Sequence, residues 1–156
     1  MTTTVGTLKD KTAVVGVGAT PYYRRGESLP QTPMELAGKA VLAALADAGL
    51  TADDLDGFAL YSMGFDTSLF AQWLGVPEVR FTAMLTGGGG GAAGSVGLAS
   101  AAIVSGMAEC VVSVMTLQQA GSRFGASYAP RGKPGAAYSA PPSPEGNFIQ
   151  IGRAHV

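Results

Sequence analysis

The sequence predicts an α/β fold, a layered sheet alternating with helices, followed by a Pro/Gly-rich loop region. Three observations predict it. Short apolar runs bounded by polar or turn residues recur at 11–19, 58–63, 81–85 and 110–117, each of strand length. Segments with helical spacing separate them, one opened by a capping box and closed by glycine. The third run passes directly into Thr86 and five consecutive glycines, and then into a long stretch of Ala, Gly, Ser and Val.

Taken in order, residues 11–19 (Lys-Thr-Ala-Val-Val-Gly-Val-Gly-Ala) form a continuous apolar run, the pattern of a strand buried on both faces. Gly16 and Gly18 invite a dinucleotide-binding reading, but Pro21 stands where the third glycine is needed. The polar Tyr22-Tyr23-Arg24-Arg25 then follows where a helix must open. The glycines read instead as close-packing positions. Thr32-Pro33-Met34-Glu35 is a capping box with proline in the first turn. It predicts a helix with Met34, Ala37, Val41, Ala44, Leu45 and Ala48 on one face, ending at Gly49. Asp53, Asp54 and Asp56 fall at a turn before the second strand and read as solvated, capping carboxylates rather than an acid–base pair. Thr67 is expected to cap a short helix carrying Leu69, Phe70 and the packing anchor Trp73, stopped by Gly75 and Pro77. The third helix is expected from about 92 to 107, with Val96, Leu98, Ile103 and Val104 among small residues.

Residues 1–120 thus read as one α/β unit, and 121–156 as an irregular region broken by glycine and proline, either a covering loop or disordered. The run from Asn147 begins a new apolar element and stops, so the chain reads as a fragment, or as a half completed by another polypeptide. Composition narrows the partners. Hydrophobic residues make up 47% and charged residues 13%, so apolar surface is left to be buried against something else. A net charge of −1 offers no attraction for nucleic acid or an anionic membrane. One Cys and one His exclude a disulfide framework or a zinc cluster supplied by this chain alone, and a cytoplasmic location is expected. The run 13–19 faintly echoes a signal peptide but reads better as a core strand. The stretch 91–108 is long enough to span a bilayer, yet it is built of small residues and ends at Glu109, so no membrane span is expected.

The glycine turn is the expected active site. Glycines let backbone N–H groups approach a ligand, and a helix N-terminus directly after them favours an anion or a developing oxyanion. It is not a Walker loop, because no Gly-Lys-Ser/Thr follows. Cys110, the sole thiol, lies at the start of an apolar run without a neighbouring base and reads as a buried cysteine. Ser95, in Ala93-Gly-Ser-Val-Gly97, resembles a nucleophile elbow only weakly: the first glycine is missing, the serine falls inside the helix, and His155 is the one available histidine. Arg123, Arg131 and Lys133 can meet a phosphate or can be solvated loop charges.

AVVGVGATPY, ELAGKAVLAALADAGL and SGMAECVVSVM, in this order and spacing, resemble the N-terminal half of thiolase-superfamily proteins, above all the sterol-carrier-protein type and bacterial lipid-transfer proteins. The resemblance covers nearly the whole chain and rests on the ensemble of motifs. It implies a thiolase-like fold, a mixed sheet with helices on both faces belonging to one of two similar halves, and a homodimer formed through the strand at 81–85. In true thiolases the turn before the central helix carries the acyl-accepting cysteine; here that position falls at or near Gly89, and Cys110 lies about twenty residues away. A cysteine-less, glycine-rich turn is similar to that of the thiolase-like retro-aldolases of bacterial steroid side-chain breakdown, which cleave a β-hydroxyacyl-CoA into a ketone and a shorter acyl-CoA. What the resemblance implies is a coenzyme A thioester as substrate, with no covalently bound cofactor and no metal. Gly88, Gly89 and Gly90 would form a backbone oxyanion site, and Arg123, Arg131 and Lys133 would face the CoA phosphates. Acid–base residues would come from an absent C-terminal half, beside a small OB-fold, zinc-ribbon partner. The alternatives are an acyltransferase of the thiolase or lipid-transfer type, a non-catalytic acyl-CoA or lipid-binding subunit, or a gene fragment.

Overall fold

The computed structural model describes residues 8–61, 65–85 and 90–118. Helix α1 (Pro33–Ala48) begins as expected: the Thr32 hydroxyl accepts the Glu35 N–H at 3.2 Å, and the Glu35 carboxylate accepts the Thr32 N–H at 2.6 Å. It ends at Gly49, whose φ of 69° is left-handed and suits glycine. The Thr32 N–H, followed by the Thr32 hydroxyl, holds the Glu35 carboxyl below its usual range. A depressed folded-state pKa means that this stabilisation is full above the ordinary value of 4.5 and is lost as pH falls through the lower folded value. Thermal unfolding of Glu35→Gln against the unsubstituted chain should therefore show a gap at neutral pH that closes below that value. Thr32→Ala should cost about 1 kcal/mol, the usual worth of an N-cap.

After a 3-10 turn at Ala52–Asp54, closed by Thr51 and Asp54, come β1 (Gly57–Tyr61), α2 (Thr67–Leu74), β2 (Phe81–Leu85), α3 (Gly91–Val104) and β3 (Val111–Met115). The strands pair in the order β2-β1-β3, all parallel, with Ala59 opposite both Ala83 and Ser113. The connections from β1 to β2 and from β2 to β3 travel in opposite directions, so right-handed crossovers place α2 and α3 on opposite faces. Helix α1 lies with α2: Gly38 has no Cβ to block the Trp73 indole, which stacks on Phe70 with ring centres 6.5 Å apart. On that face Phe58 and Leu60 are fully buried against Val41, Leu45 and Phe70, with the Phe58 and Phe70 rings edge to face at 6.0 Å. On the other face the small row Ala83–Ala59–Ser113 admits the Gly/Ala/Ser helix α3 closely. Ser95, 2% exposed, donates to the Ala92 carbonyl at 2.7 Å and lies 2.6 Å from the Ser113 hydroxyl. Among the described residues no helix is long and apolar enough to cross a membrane.

Three expectations need correction. Residues 11–19 form no strand; Val14, Val15 and Val17 stand 75%, 65% and 75% exposed. The packing role of the glycines does hold, because a Cβ at Gly16 or Gly18 would overlap the backbone of α1 at Ala44 and Ala40. The run lies along α1, and among the described residues no strand pairs with it. The cap of α2 is Asp66, whose carboxylate accepts the Leu69 N–H at 3.0 Å, and Thr67 is instead the first helical residue. Asp56 is not a solvated carboxylate: it accepts the backbone N–H groups of Glu109 and Cys110 and pairs with Arg80.

Candidate functional site

In a parallel sheet, loops leave the carboxyl ends of the strands, and a crevice opens where adjacent connections depart to opposite faces. Here that point lies between β1 and β2, above Tyr61 and Leu85, which are direct partners in register. Helix α3 begins at Gly91, where a Cβ would meet the Tyr61 ring, so its amino terminus lies at this end of the sheet. Gly90 is the N-cap residue, with φ −80° and ψ −10°; its carbonyl accepts the Gly94 N–H at 2.9 Å, and it has no side chain with which to cap the helix. The first N–H groups of a helix have no partner within it, and the N-cap glycine supplies no side chain for them, an arrangement that suits a ligand. A Cβ at Gly90 would meet open space, whereas one at Gly91 would overlap the Tyr61 ring, with the ring carbon Cζ 2.9 Å away. The Tyr61 ring thus packs against the start of α3 on the β1 side.

Of the expected oxyanion residues, the structure places Gly90 at the crevice; Gly88 and Gly89 lie outside the described residues, as do Arg123, Arg131, Lys133 and His155. Cys110 is far from the turn. It precedes the amino end of β3, while the crevice is at the carboxyl end, roughly 16 Å along the strand at about 3.3 Å per residue. Burial, then Asp56 and Asp54, push its thiol upward, the opposite of an activated nucleophile. It is half-buried rather than fully buried. Ser95 is closed off by its two hydrogen bonds, so no nucleophile elbow exists here. Among the described residues no cluster of three or more His, Cys, Asp or Glu could hold a metal. Tyr61 was not identified from sequence, since a tyrosine ending an apolar run carries no signal until the register sets it against Gly91.

No known family profile matches the chain. It is 36% identical over 120 residues to the 17-hydroxy-3-oxo-4-pregnene-20-carboxyl-CoA lyase of Mycobacterium tuberculosis, an alignment covering 76% of this chain and 30% of that protein. It is 34% identical over 126 residues to the steroid side-chain-cleaving aldolase of Thermomonospora curvata, covering 80% of this chain and 32% of that protein. The chain is similar to steroid side-chain-cleaving aldolases. Its backbone superimposes on the Ltp2-ChsH2(DUF35) aldolase with a TM-score of 0.63 and 33% identity, over 71% of this chain and 28% of that one. This likeness carries the α/β fold class expected from sequence, shared with part of that aldolase. The chain spans about a third of the length of the curated relatives it matches.

Proposed function

We propose that this chain forms the glycine-turn portion of a thiolase-like aldolase that cleaves a carbon–carbon bond in a β-hydroxyacyl-CoA carried on a steroid side chain. The supporting observation is the start of α3 beside Tyr61 at the carboxyl ends of β1 and β2, the switch point of the sheet, with the sole thiol at the opposite end. In a retro-aldol step a base removes the β-hydroxyl proton, the Cα–Cβ bond breaks, and its electrons move onto the thioester oxygen. A ketone leaves, and protonation of the enolate at Cα gives the shortened acyl-CoA. The N–H groups at the start of α3 would hold the developing enolate oxygen, a task that needs no side chain and no covalent carrier. Thiolysis, by contrast, requires a thiolate at the turn. The proton-transfer groups are assigned to polypeptide outside these residues, Arg123, Arg131 and Lys133 to the CoA phosphates, and the outer edge of β2 to a homodimer contact. A partner protein is proposed because the superimposed aldolase is described as a complex with ChsH2(DUF35).

The test is turnover by the chain assembled with the complementary portion of the T. curvata aldolase, on a steroid β-hydroxyacyl-CoA. Ketone and acyl-CoA should appear in equal amounts without consumption of free CoA. Gly90→Pro, compatible with φ −80°, removes one N–H and should lower kcat by about 10²-fold if that donor faces the oxyanion. Turnover that consumes one CoA per cleavage would make the chain an acyltransferase instead, and saturable thioester binding without product would make it a binding subunit.

A further inference from the structure

The segment before α1 runs antiparallel to it. A Cβ at Gly16 would meet α1 at Ala44 and Ala48, and one at Gly18 would meet it at Ala40 and Ala44, so the chain climbs toward the amino terminus of the helix. At about 3.3 Å per residue, extended chain advances about 13 Å from Gly18 to Tyr22, which matches the helix rise back to Pro33. Tyr22, Tyr23, Arg24 and Arg25 therefore stand beside the start of α1. The far side of this loop is pinned to the sheet: Gln118, just beyond the carboxyl end of β3, donates through Nε2 to the Ser28 hydroxyl at 3.1 Å and to the Gln31 carbonyl at 2.6 Å. Ser28 itself is buried. The loop thus lies at the end of the sheet that holds Tyr61 and the start of α3.

Between these anchors the loop turns two tyrosines and two arginines to solvent, with Tyr22 fully exposed. Neither guanidinium has an acidic partner among the described residues, where the ion pairs belong to Arg80. Glu27, the nearest carboxylate in sequence, accepts the Arg24 backbone N–H at 2.9 Å, and Glu35 is engaged by Thr32. An anchored loop therefore presents a bare aromatic face beside two uncommitted forked cations. An aromatic ring stacks on any nucleobase, and a guanidinium fork matches phosphate oxygens two at a time. A carboxylate-rich protein surface would engage the arginines and leave the ring bare, whereas a nucleotide engages both. We propose that Tyr22, Arg24 and Arg25 form a site for the nucleotide end of a CoA thioester, with Tyr22 stacked on the adenine and the two guanidinium groups on the phosphates.

This site rests on the reading of the substrate as a CoA thioester. β1 separates β3 from β2, so the exit of β3 lies about 7 Å from the midline between β1 and β2, at about 4.8 Å per strand. The loop lies beyond that exit. A thioester at the start of α3 and a nucleotide on the loop are thus held apart across the end of β3, the separation that the pantetheine arm of CoA spans. Gln118 acts here as a positioning residue, because it fixes the loop to the sheet without touching the nucleotide.

Calorimetric titration of the chain, assembled with the complementary portion of the T. curvata aldolase, compares CoA with pantetheine, which lacks the nucleotide. Arg24→Ala with Arg25→Ala should weaken CoA binding by at least about tenfold and flatten its salt dependence, because two phosphate contacts are lost. Tyr22→Ala should weaken it about tenfold, the usual cost of one stacking platform. Pantetheine should bind these variants as it binds the unsubstituted protein. Lys9→Ala with Lys11→Ala removes the same charge from the far end of segment 11–18 and should leave CoA binding unchanged. CoA binding that is indifferent to Arg24 and Arg25, or an equal loss with pantetheine or in the lysine variant, overturns the proposal. So does a loss confined to assembly with the complementary portion, which would make a protein surface the occupant. The reaction is scored separately by ketone release. Loop-dependent CoA binding without ketone upholds this site and overturns the retro-aldol reading, whereas ketone release with loop-independent binding overturns the site alone.

Discussion

Gly91→Ala should destabilise the chain by about 3 kcal/mol, while Gly90→Ala, one residue earlier, should change its stability by no more than about 0.5 kcal/mol. The contrast is informative because helix propensity points the other way. Alanine within a helix is ordinarily about 1 kcal/mol better than glycine, and Gly91 lies within α3 whereas Gly90 only caps it. Sterics decide the outcome: a Cβ at Gly91 overlaps the Tyr61 ring, whereas at Gly90 it meets nothing within 4 Å and φ is an unstrained −80°. Neither neighbour can move freely, because Tyr61 ends the central strand and α3 packs on all three strands. Denaturant midpoints of the two variants provide the measurement. The double variant Gly91→Ala with Tyr61→Ala should recover a large part of the loss, since the overlapping ring is gone. Equal midpoints for Gly90→Ala and Gly91→Ala would mean that Tyr61 does not pack against the start of α3.

Asp56→Ala should cost about 3 kcal/mol, and Arg80→Ala less than about 1 kcal/mol, although the two side chains form an ion pair. Asp56 ties the amino ends of all three strands together. Its carbonyl accepts the N–H groups of Arg80 and Phe81 at 2.8 and 3.2 Å, leading into β2. Its carboxylate accepts the N–H groups of Glu109 and Cys110 at 2.9–3.0 Å, leading into β3. Removing the carboxylate leaves the part-buried Cys110 N–H unmatched, and that penalty outweighs the ion pair. The Arg80 guanidinium, 39% exposed and 3.3 Å from the carboxylate, is screened by water. Asp56→Asn should fall between the two, because an amide oxygen can accept only part of what the carboxylate accepts. Chemical denaturation of D56A, D56N and R80A tests this order. If R80A cost as much as D56A, the ion pair and not the backbone contacts would dominate.

The local elements were legible from residues alone. The capping box at Thr32–Glu35 and the glycine at 49 mark both ends of α1, because caps are satisfied within a few residues and depend little on the rest of the chain. The run 81–85 is β2 to the residue, and helix α3 opens at Gly91, one residue from the expected start. Pairing was not legible. Whether an apolar run becomes a strand depends on an edge being available beside it, which is why 11–19, with the strongest strand pattern, has no strand partner among the described residues while the less regular 57–61 becomes the centre of the sheet. The roles of Asp56 and Tyr61 were hidden for the same reason. One acts on backbone more than fifty residues away and the other on a glycine thirty residues away, and both distances collapse only when the parallel register forms. By itself, then, the sequence determined the helices, both caps of α1 and the absence of a cysteine from the glycine run before α3, the first two set by short-range sterics and hydrogen bonding. Only the tertiary structure decided which strands pair and that the sole cysteine sits at the far end of the sheet from the start of α3, because each depends on groups brought together across the chain by burial and register.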